Sequence, residues 1–232
     1  RVFRQHKHGM DVVALELIRQ LQQLDTVNEY VLFAAPGPGN DALFQTNNFS
    51  IQTITGVTYA GWEQFSLPSA LKKLRPAFVH CTGNTAPLNC PVPLILTLHD
   101  IIYLEQTSFK GSAYQNFGNL YRRYIVPKVL KKAKTIITVS EYEKNIILEK
   151  CKEAKDKVQV IYNAVDGRFN NLYTVEDIET FRGQYHLPRN FILLLGNTAP
   201  KKNTAGAIKA YEHYCNITRD PLPLVVADYN TV

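Results

Sequence analysis

Apolar residues at Val13, Leu17, Leu21 and Leu24, with Ile18 beside them, recur at helical spacing and predict a helix over Met10–Leu24. The residues before it read as a first strand cut short. Tyr30–Ala35 is a short apolar run that predicts a buried strand, and the loop Pro36-Gly-Pro-Gly39 ends it. Ile51–Thr55 alternates as a strand does, Glu63–Leu74 has helical spacing, and Ala77–Cys81 is the next strand. Pro93–Asp100 is an apolar run of buried-strand length that closes on two polar residues, His99 and Asp100. Ala113–Lys134 predicts a helix interrupted at Pro127, which removes a backbone donor and should kink it. Thr135–Val139 is a strand, and Ser140 with Glu143 forms the capping-box pattern of a helix reaching about Cys151. Val158–Tyr162 is a further short strand.

Strands alternating with helices at this spacing predict an α/β fold with a parallel sheet covered on both faces. The pattern weakens over 167–189, which holds one polar helix, Val175–Tyr185. It then restarts with a buried strand at Phe191–Gly196, a helix from Thr204 and a strand at Pro223–Asp228. The expected organisation is an N-terminal Rossmann-like domain over 1–166, a connection over 167–189, and the start of a second such domain over 190–232. At roughly 100–200 residues per domain, 232 residues amount to about one and a half domains, so the second is expected to be incomplete. No internal repeat or low-complexity segment interrupts this order.

Composition narrows the class. Hydrophobic residues at 45% and charged residues at 20% suit a globular core, and no apolar run reaches the ~20 residues of a membrane span. The N-terminus has no initiator Met and no apolar stretch of a signal peptide. Four cysteines, Cys81, Cys90, Cys151 and Cys215, form no C-x-x-C pair, which fits free thiols in a cytoplasmic setting. The sequons Asn48-Phe-Ser50 and Asn216-Ile-Thr218 are accordingly read as chance matches. The net charge of +6 comes from 26 basic and 20 acidic residues. The window Tyr121–Lys134 holds Arg122, Arg123, Lys128, Lys131, Lys132 and Lys134 and no acid, so the rest of the chain balances. This excludes the uniform positive coat of a non-specific nucleic-acid binder and leaves one basic patch.

Ligands of open parallel sheets bind at the carboxyl ends of the strands. The residues that follow the predicted strands are Gly9, the 36–40 loop, Thr82-Gly83-Asn84, His99-Asp100, Ser140-Glu141, Asn163, and Gly196-Asn197 with Lys201 and Lys202. A His at that position can donate to a hydroxyl or phosphate oxygen, and the adjacent Asp can orient it or cap the next turn. Gly196–Asn203 lies between a strand and a helix. Its glycine, its helix N-terminus and its lysine pair suit a diphosphate. It matches neither the Walker loop nor G-x-G-x-x-G. Metal-site spacings and the G-x-S-x-G nucleophile elbow are absent from the sequence, which disfavours zinc chemistry and a hydrolase triad.

Several segments together resemble the group 1 glycosyltransferases, family 4. They are His8-Gly9-Met10, Trp62–Pro68, and His80–Asn84 followed by Pro87. Leu96-Thr-Leu-His-Asp-Ile101 resembles t-[VL]-H-D-[LI], and Ala133–Glu141 resembles a-x-x-I-I-t-V-S. Val160–Asp166 resembles V-I-x-N-G-V-D, and Leu195–Asn203 resembles v-G-x-x-x-P-[RK]-K-N, most like the mannosyltransferase-type members.

The resemblance implies the GT-B fold of two Rossmann-like domains. It implies retaining transfer of a sugar from a nucleotide-diphosphate donor to a hydroxyl of a glycan or lipid-linked acceptor, with no cofactor and no essential metal. By the same resemblance, His99 contacts the donor sugar near its hydroxymethyl group, with Asp100 beside it. Gly9, Gly196, Asn197, Lys201 and Lys202 surround the donor phosphates. Gly83, Asn84, Ser140, Glu141 and Asn163 line the acceptor side. Two departures stand out: Asn197 occupies a position where many members have Arg, and Asn163-Ala164 replaces Asn-Gly. The family's Glu, seven residues, Glu motif has its place beyond Val232, so the 232-residue chain is expected to be inactive alone.

Two other classes are open on the residues themselves. The mix of Tyr, Ile, Val and Leu with six cations in Tyr121–Lys134 is that of a helix lying on an anionic membrane, implying a non-catalytic docking module or peripheral attachment at the inner face. The same residues also fit a core-facing stripe with a solvated outer face. A nucleotide-dependent oxidoreductase is disfavoured, because the dinucleotide fingerprint is missing.

Overall fold

The computed structural model describes residues 9–37, 45–105, 113–165, 167, 169, 172–197 and 202–228. The chain forms two compact units, 1–164 and 165–232. The loop residues 38–40, His8 and Lys201 lie outside the described residues, as does the strand expected ahead of Met10.

The first unit opens with α1 (Gly9–Leu24), β1 (Tyr30–Ala34) and β2 (Phe49–Thr53), the two strands pairing in parallel. The turn between α1 and β1 is tied by Asp25, which accepts from the Asn28 side-chain amide (2.8 Å), the Asn28 and Val27 backbone N–H groups, and the Tyr30 hydroxyl (2.5 Å). The Asn28 amide first, and then the other donors, hold this carboxyl below its ordinary range. Asn48 is occupied in the same joint, its Nδ2 donating to Asp25 O and Asn28 O. β2 lies two residues earlier than the Ile51–Thr55 alternation predicts, because Phe49 is buried and stacks on Tyr30 at 4.2 Å. Aromatic packing across the pair thus sets the register over the simple alternation.

The helix expected from Glu63 starts earlier, at α2 (Tyr59–Gly61). It passes through a π turn (Trp62–Ser66) and continues as α3 (Leu67–Leu74). Leu67 N–H bonds Trp62 O across the widened turn. Pro68 lacks a donor and its ring would strike the carbonyl four residues back, so the widening just before it accommodates the proline. Thr58 caps the start by accepting from Gly61 N, and Arg75 closes the end in the left-handed region, φ 52°.

The main sheet is β3 (Val79–Cys81), β4 (Leu94–Thr97), β5 (Thr135–Thr138) and β6 (Val158–Val160), all parallel and in that order. The parallel α/β expectation is met. The connections include α4 (Ile102–Glu105), α5 (Ala113–Lys132), α6 (Glu141–Lys150) and a 3₁₀ segment, Lys152–Lys157. One core joins Leu71 of α3, Leu96 and Ile136 of the central strands, Ile147 of α6, and Val126 and Val129 of α5, all fully buried. The interruption predicted at Pro127 does not occur: α5 runs through it. Ile125, Val126, Val129 and Leu130 on either side are all within the core, and this packing outweighs the missing hydrogen bond.

The second unit holds α7 (Val175–Gln184), β7 (Ile192–Leu195), α8 (Thr204–Ile217) and β8 (Leu224–Ala227), with β7 and β8 parallel. A complete capping box starts α7: Thr174 Oγ1 accepts from Asp177 N while Asp177 Oδ2 accepts from Thr174 N. The buried strand predicted at Phe191–Gly196 is exposed instead, Leu193 at 58% and Leu195 at 73%. Among the described residues β7 pairs with β8 alone, and α8 lays Tyr211 and Tyr214 near one face, which leaves apolar strand surface uncovered.

Candidate functional site

Four parallel strands put four consecutive chain ends along one edge of the main sheet. The segments 82–84, 98–100, 139–141 and 161–163 follow β3, β4, β5 and β6. Backbone bonds continue past the strands and hold these ends in step: Leu98 N donates to Ile137 O at 2.8 Å and Ile161 N to Thr138 O at 2.9 Å. The buried Thr138 hydroxyl donates to Leu98 O at 2.9 Å, closing the β4–β5 junction directly under His99.

Asn84 is the joint between the first two ends. Its backbone is left-handed, φ 46°, a conformation that Asn tolerates better than most residues. Its N–H donates to Thr97 O at 3.1 Å. The side chain, 5% exposed, accepts from His99 N at 2.7 Å through Oδ1 and donates to Asp100 O at 3.3 Å through Nδ2. His99 returns the link, its Nε2 lying 3.1 Å from Thr82 O. A carbonyl oxygen only accepts, so Nε2 carries the proton. In the neutral ring Nδ1 is then an acceptor, and it has no partner among the described residues. The Asp100 carboxylate likewise has no hydrogen-bond partner there, so the ring is oriented by Thr82 rather than by its neighbour.

The third end is built by a cap. Ser140 accepts from Glu143 N at 3.1 Å to start α6, and Glu143 Oε1 reaches across to accept from Ile101 N at 2.9 Å. Glu143 therefore binds the His99-Asp100 segment to α6, while Ser140 is half-buried and Glu141 is exposed at the edge. Asn163 is exposed at the fourth end. The structure thus brings Gly83, Asn84, His99, Asp100, Ser140, Glu141 and Asn163 to one edge. His80, one residue inside β3, is half-buried and bonds Thr97 Oγ1 at 2.8 Å; desolvation lowers its pKa.

Gly9 opens α1 and is exposed; a Cβ built there, or at Gly83, meets no heavy atom within 4 Å. Gly196, Asn197 and Lys202 belong to the second unit. Gly196 N donates to Ala227 O, and Thr204 Oγ1 accepts from Asn197 N at 3.0 Å and donates to Asn197 O at 2.7 Å. That pair of bonds fixes the turn after β7 to the first residue of α8. Asn203, φ 51°, precedes α8 without a side-chain cap, and Lys202 is exposed beside it. Among the described residues no three His, Cys, Asp or Glu side chains cluster as metal ligands do. A depression of about 370 Å³ lined by Thr26, Thr46, Asn47 and Asn48 offers amides and hydroxyls but no titratable group, so it lacks the apparatus of a transfer site.

The basic window divides into two halves. Towards its end the cations are committed: Lys132 Nζ donates to Leu88 O, Lys131 pairs with Glu153 at 3.2 Å, and Lys157 from the 3₁₀ segment donates to Lys131 O. Arg123 Nε donates to Tyr103 O, and the Arg122 guanidinium lies 5.8 Å from the Tyr103 ring centroid. Earlier in α5, Phe117, Leu120 and Tyr124 are each about 60% exposed and fall on one face, with Lys128 Nζ 3.3 Å from the Tyr124 ring centroid.

Sequence reasoning missed one group. Glu63, Tyr59, Thr85, Gln64 and Tyr121 form a buried polar cluster beneath the 83–85 turn. An acidic residue set in an apolar helical stretch beside Trp62 was the available signal.

A model of Glycosyltransferase Family 4 matches residues 8–168. Serotype-specific mannosyltransferase WbdA of Escherichia coli is 28% identical over 141 residues, 60% of this chain and 17% of its own length. A second Escherichia coli protein of that name is 27% identical over 139 residues, 59% of this chain and 17% of its own. The chain thus spans under a fifth of the length of these curated relatives.

Proposed function

The chain belongs to glycosyltransferase family 4, and from that premise we propose that it serves transfer of a sugar, mannose being the candidate, from a nucleotide-diphosphate donor to a hydroxyl of a glycan or lipid-linked acceptor, with retention at the anomeric carbon. The observation that carries this reading is the state of His99. Its Nε2–H is committed to Thr82 O, so Nδ1 offers a lone pair at the strand edge to a sugar hydroxyl. Gly83 and Asn84 form the wall beside it, and Ser140, Glu141 and Asn163 extend the edge towards the acceptor. Gly9 leaves room for a close approach, since no atom of the described residues lies within 4 Å of its missing Cβ. In the second unit, Gly196, Asn197, Lys201 and Lys202 receive the diphosphate, and the lysines neutralise the charge that develops as the glycosidic bond breaks. With lysines in that role the reading calls for no metal.

A panel of nucleotide-diphosphate sugars, offered to a longer chain that includes the family's Glu, seven residues, Glu motif, tests it. One donor should be turned over with retention, and His99→Ala should lose most of that turnover while remaining folded. Absence of transfer from every donor, or full turnover by His99→Ala, would overturn the assignment.

A second reading concerns attachment. No helix among the described residues is long and apolar enough to cross a membrane. We propose that the outer face of α5, with Phe117, Leu120 and Tyr124 followed by Lys128, rests on an anionic lipid surface. Apolar side chains enter the interface while cations meet headgroups, each worth about 1 kcal/mol. This moves the docking face from the basic end of the helix to its apolar beginning. Flotation with vesicles containing anionic lipid should recover the protein, and Phe117→Ser with Leu120→Ser should release it. Equal flotation of the double variant would refute this face.

A further inference from the structure

Glu63 is 3% exposed and lies in the π turn. Its Oε2 accepts from the Tyr59 and Thr85 hydroxyls, both at 2.6 Å; its Oε1 accepts from the Tyr121 hydroxyl at 2.6 Å and Gln64 Nε2 at 3.1 Å. Gln64 adds its own links, accepting from Leu88 N at 2.9 Å and donating to Ala86 O at 3.2 Å. A buried carboxylate costs desolvation that hydrogen bonds must offset, and a well-packed apolar residue of similar volume often serves stability as well or better. Stability alone therefore gives a weak account of this cluster. Its geometry gives another, because the cluster converges on residues 85–88, the chain that leaves the site edge.

Thr85 is the point of transmission. Its hydroxyl is held by Glu63, and its N–H bonds Gly83 O at 2.5 Å, closing a tight turn around the left-handed Asn84. Asn84 in turn receives His99 N, and His99 Nε2 faces Thr82 O on the other side of the same turn. The chain of bonds runs from Glu63 through Thr85 and Asn84 to the backbone N–H of His99, whose ring meets Thr82 O at the start of the same turn.

We propose that Glu63 is a positioning residue for His99: through Thr85 it locks the 82–85 turn, and so holds the ring in the Nε2–H tautomer with Nδ1 directed to the sugar. Its purpose rests on the glycosyl-transfer reading, but the ring's state is measurable without any turnover. The measurement is nitrogen-15 NMR of the histidine rings in the full chain, with His99 assigned from a His99→Gln spectrum. The wild type should show widely separated Nδ1 and Nε2 shifts, the mark of one tautomer. Thr85→Val removes the hydroxyl at nearly constant volume and should lose that separation, the two shifts converging as the tautomers mix. Thr85→Ser keeps the hydroxyl and should retain it. Glu63→Gln should behave like Thr85→Val, and decides the matter if the valine variant does not fold. An unchanged His99 signature in either folded variant, even with a lowered melting temperature, would show the cluster to be structural and overturn the proposal. Absence of sugar transfer by the longer chain that carries the Glu, seven residues, Glu motif would overturn the functional reading and leave the NMR result standing.

Discussion

In a chain that includes the Glu, seven residues, Glu motif, Lys202→Ala should lower kcat for sugar transfer by about 10²–10³-fold, with a much smaller effect on donor KM, the size seen when one pre-placed stabiliser of developing charge is removed. The charge on the departing nucleoside diphosphate grows as the bond to the sugar breaks, so a cation there acts mainly in the transition state. Lys202 is exposed at the start of α8, whose first residue is bolted to the Gly196–Asn197 turn by both bonds of Thr204 Oγ1. The helix N-terminus adds partial positive charge from a fixed direction, and no side chain of Asn203 caps it. Asn197 stands where many family members carry Arg, which raises the share that falls to the lysines. Lys202→Arg should recover most of the rate. Saturation kinetics decides, and a kcat within twofold of wild type for Lys202→Ala would remove this residue from the mechanism.

Asn84→Ala should destabilise the first unit by about 2–5 kcal/mol in denaturant unfolding. Two contributions combine. Alanine at φ 46° meets the left-handed penalty of about 1–2 kcal/mol, and the His99 N–H loses its 2.7 Å acceptor, a further cost of about 1–3 kcal/mol for a buried donor. Asn84→Gly separates them, since it removes only the strain and should recover the first part. Equal losses for alanine and glycine would show that backbone strain contributes nothing here.

Most of this architecture was legible because the strands are short apolar runs bounded by turns, and because ligand edges in parallel sheets lie where those runs end. That rule alone put His99, Asp100, Gly83 and Ser140 at the strand ends, where the structure has them. Three things escaped it. The start of β2 was decided by Phe49 stacking on Tyr30, a contact between residues 19 apart that periodicity does not register. Pro127 reads locally as a break, yet α5 continues because Ile125, Val126, Val129 and Leu130 are all buried around it. Glu63 was hidden by its helix: on the sequence it is one more polar position, and only folding brings Tyr121 and Thr85 to it. The exposed faces of β7 failed the prediction for the opposite reason, since an apolar run reports what a strand needs, not what lies over it in these residues.

The empty space beside Gly9 and Gly83 has a practical meaning. A methyl group added at either position touches no atom among the described residues. On the proposed reading, loss of turnover on alanine substitution there would report how closely a bound molecule passes the main chain. The two positions serve as gauges of substrate shape, readable before a ligand has been seen in place.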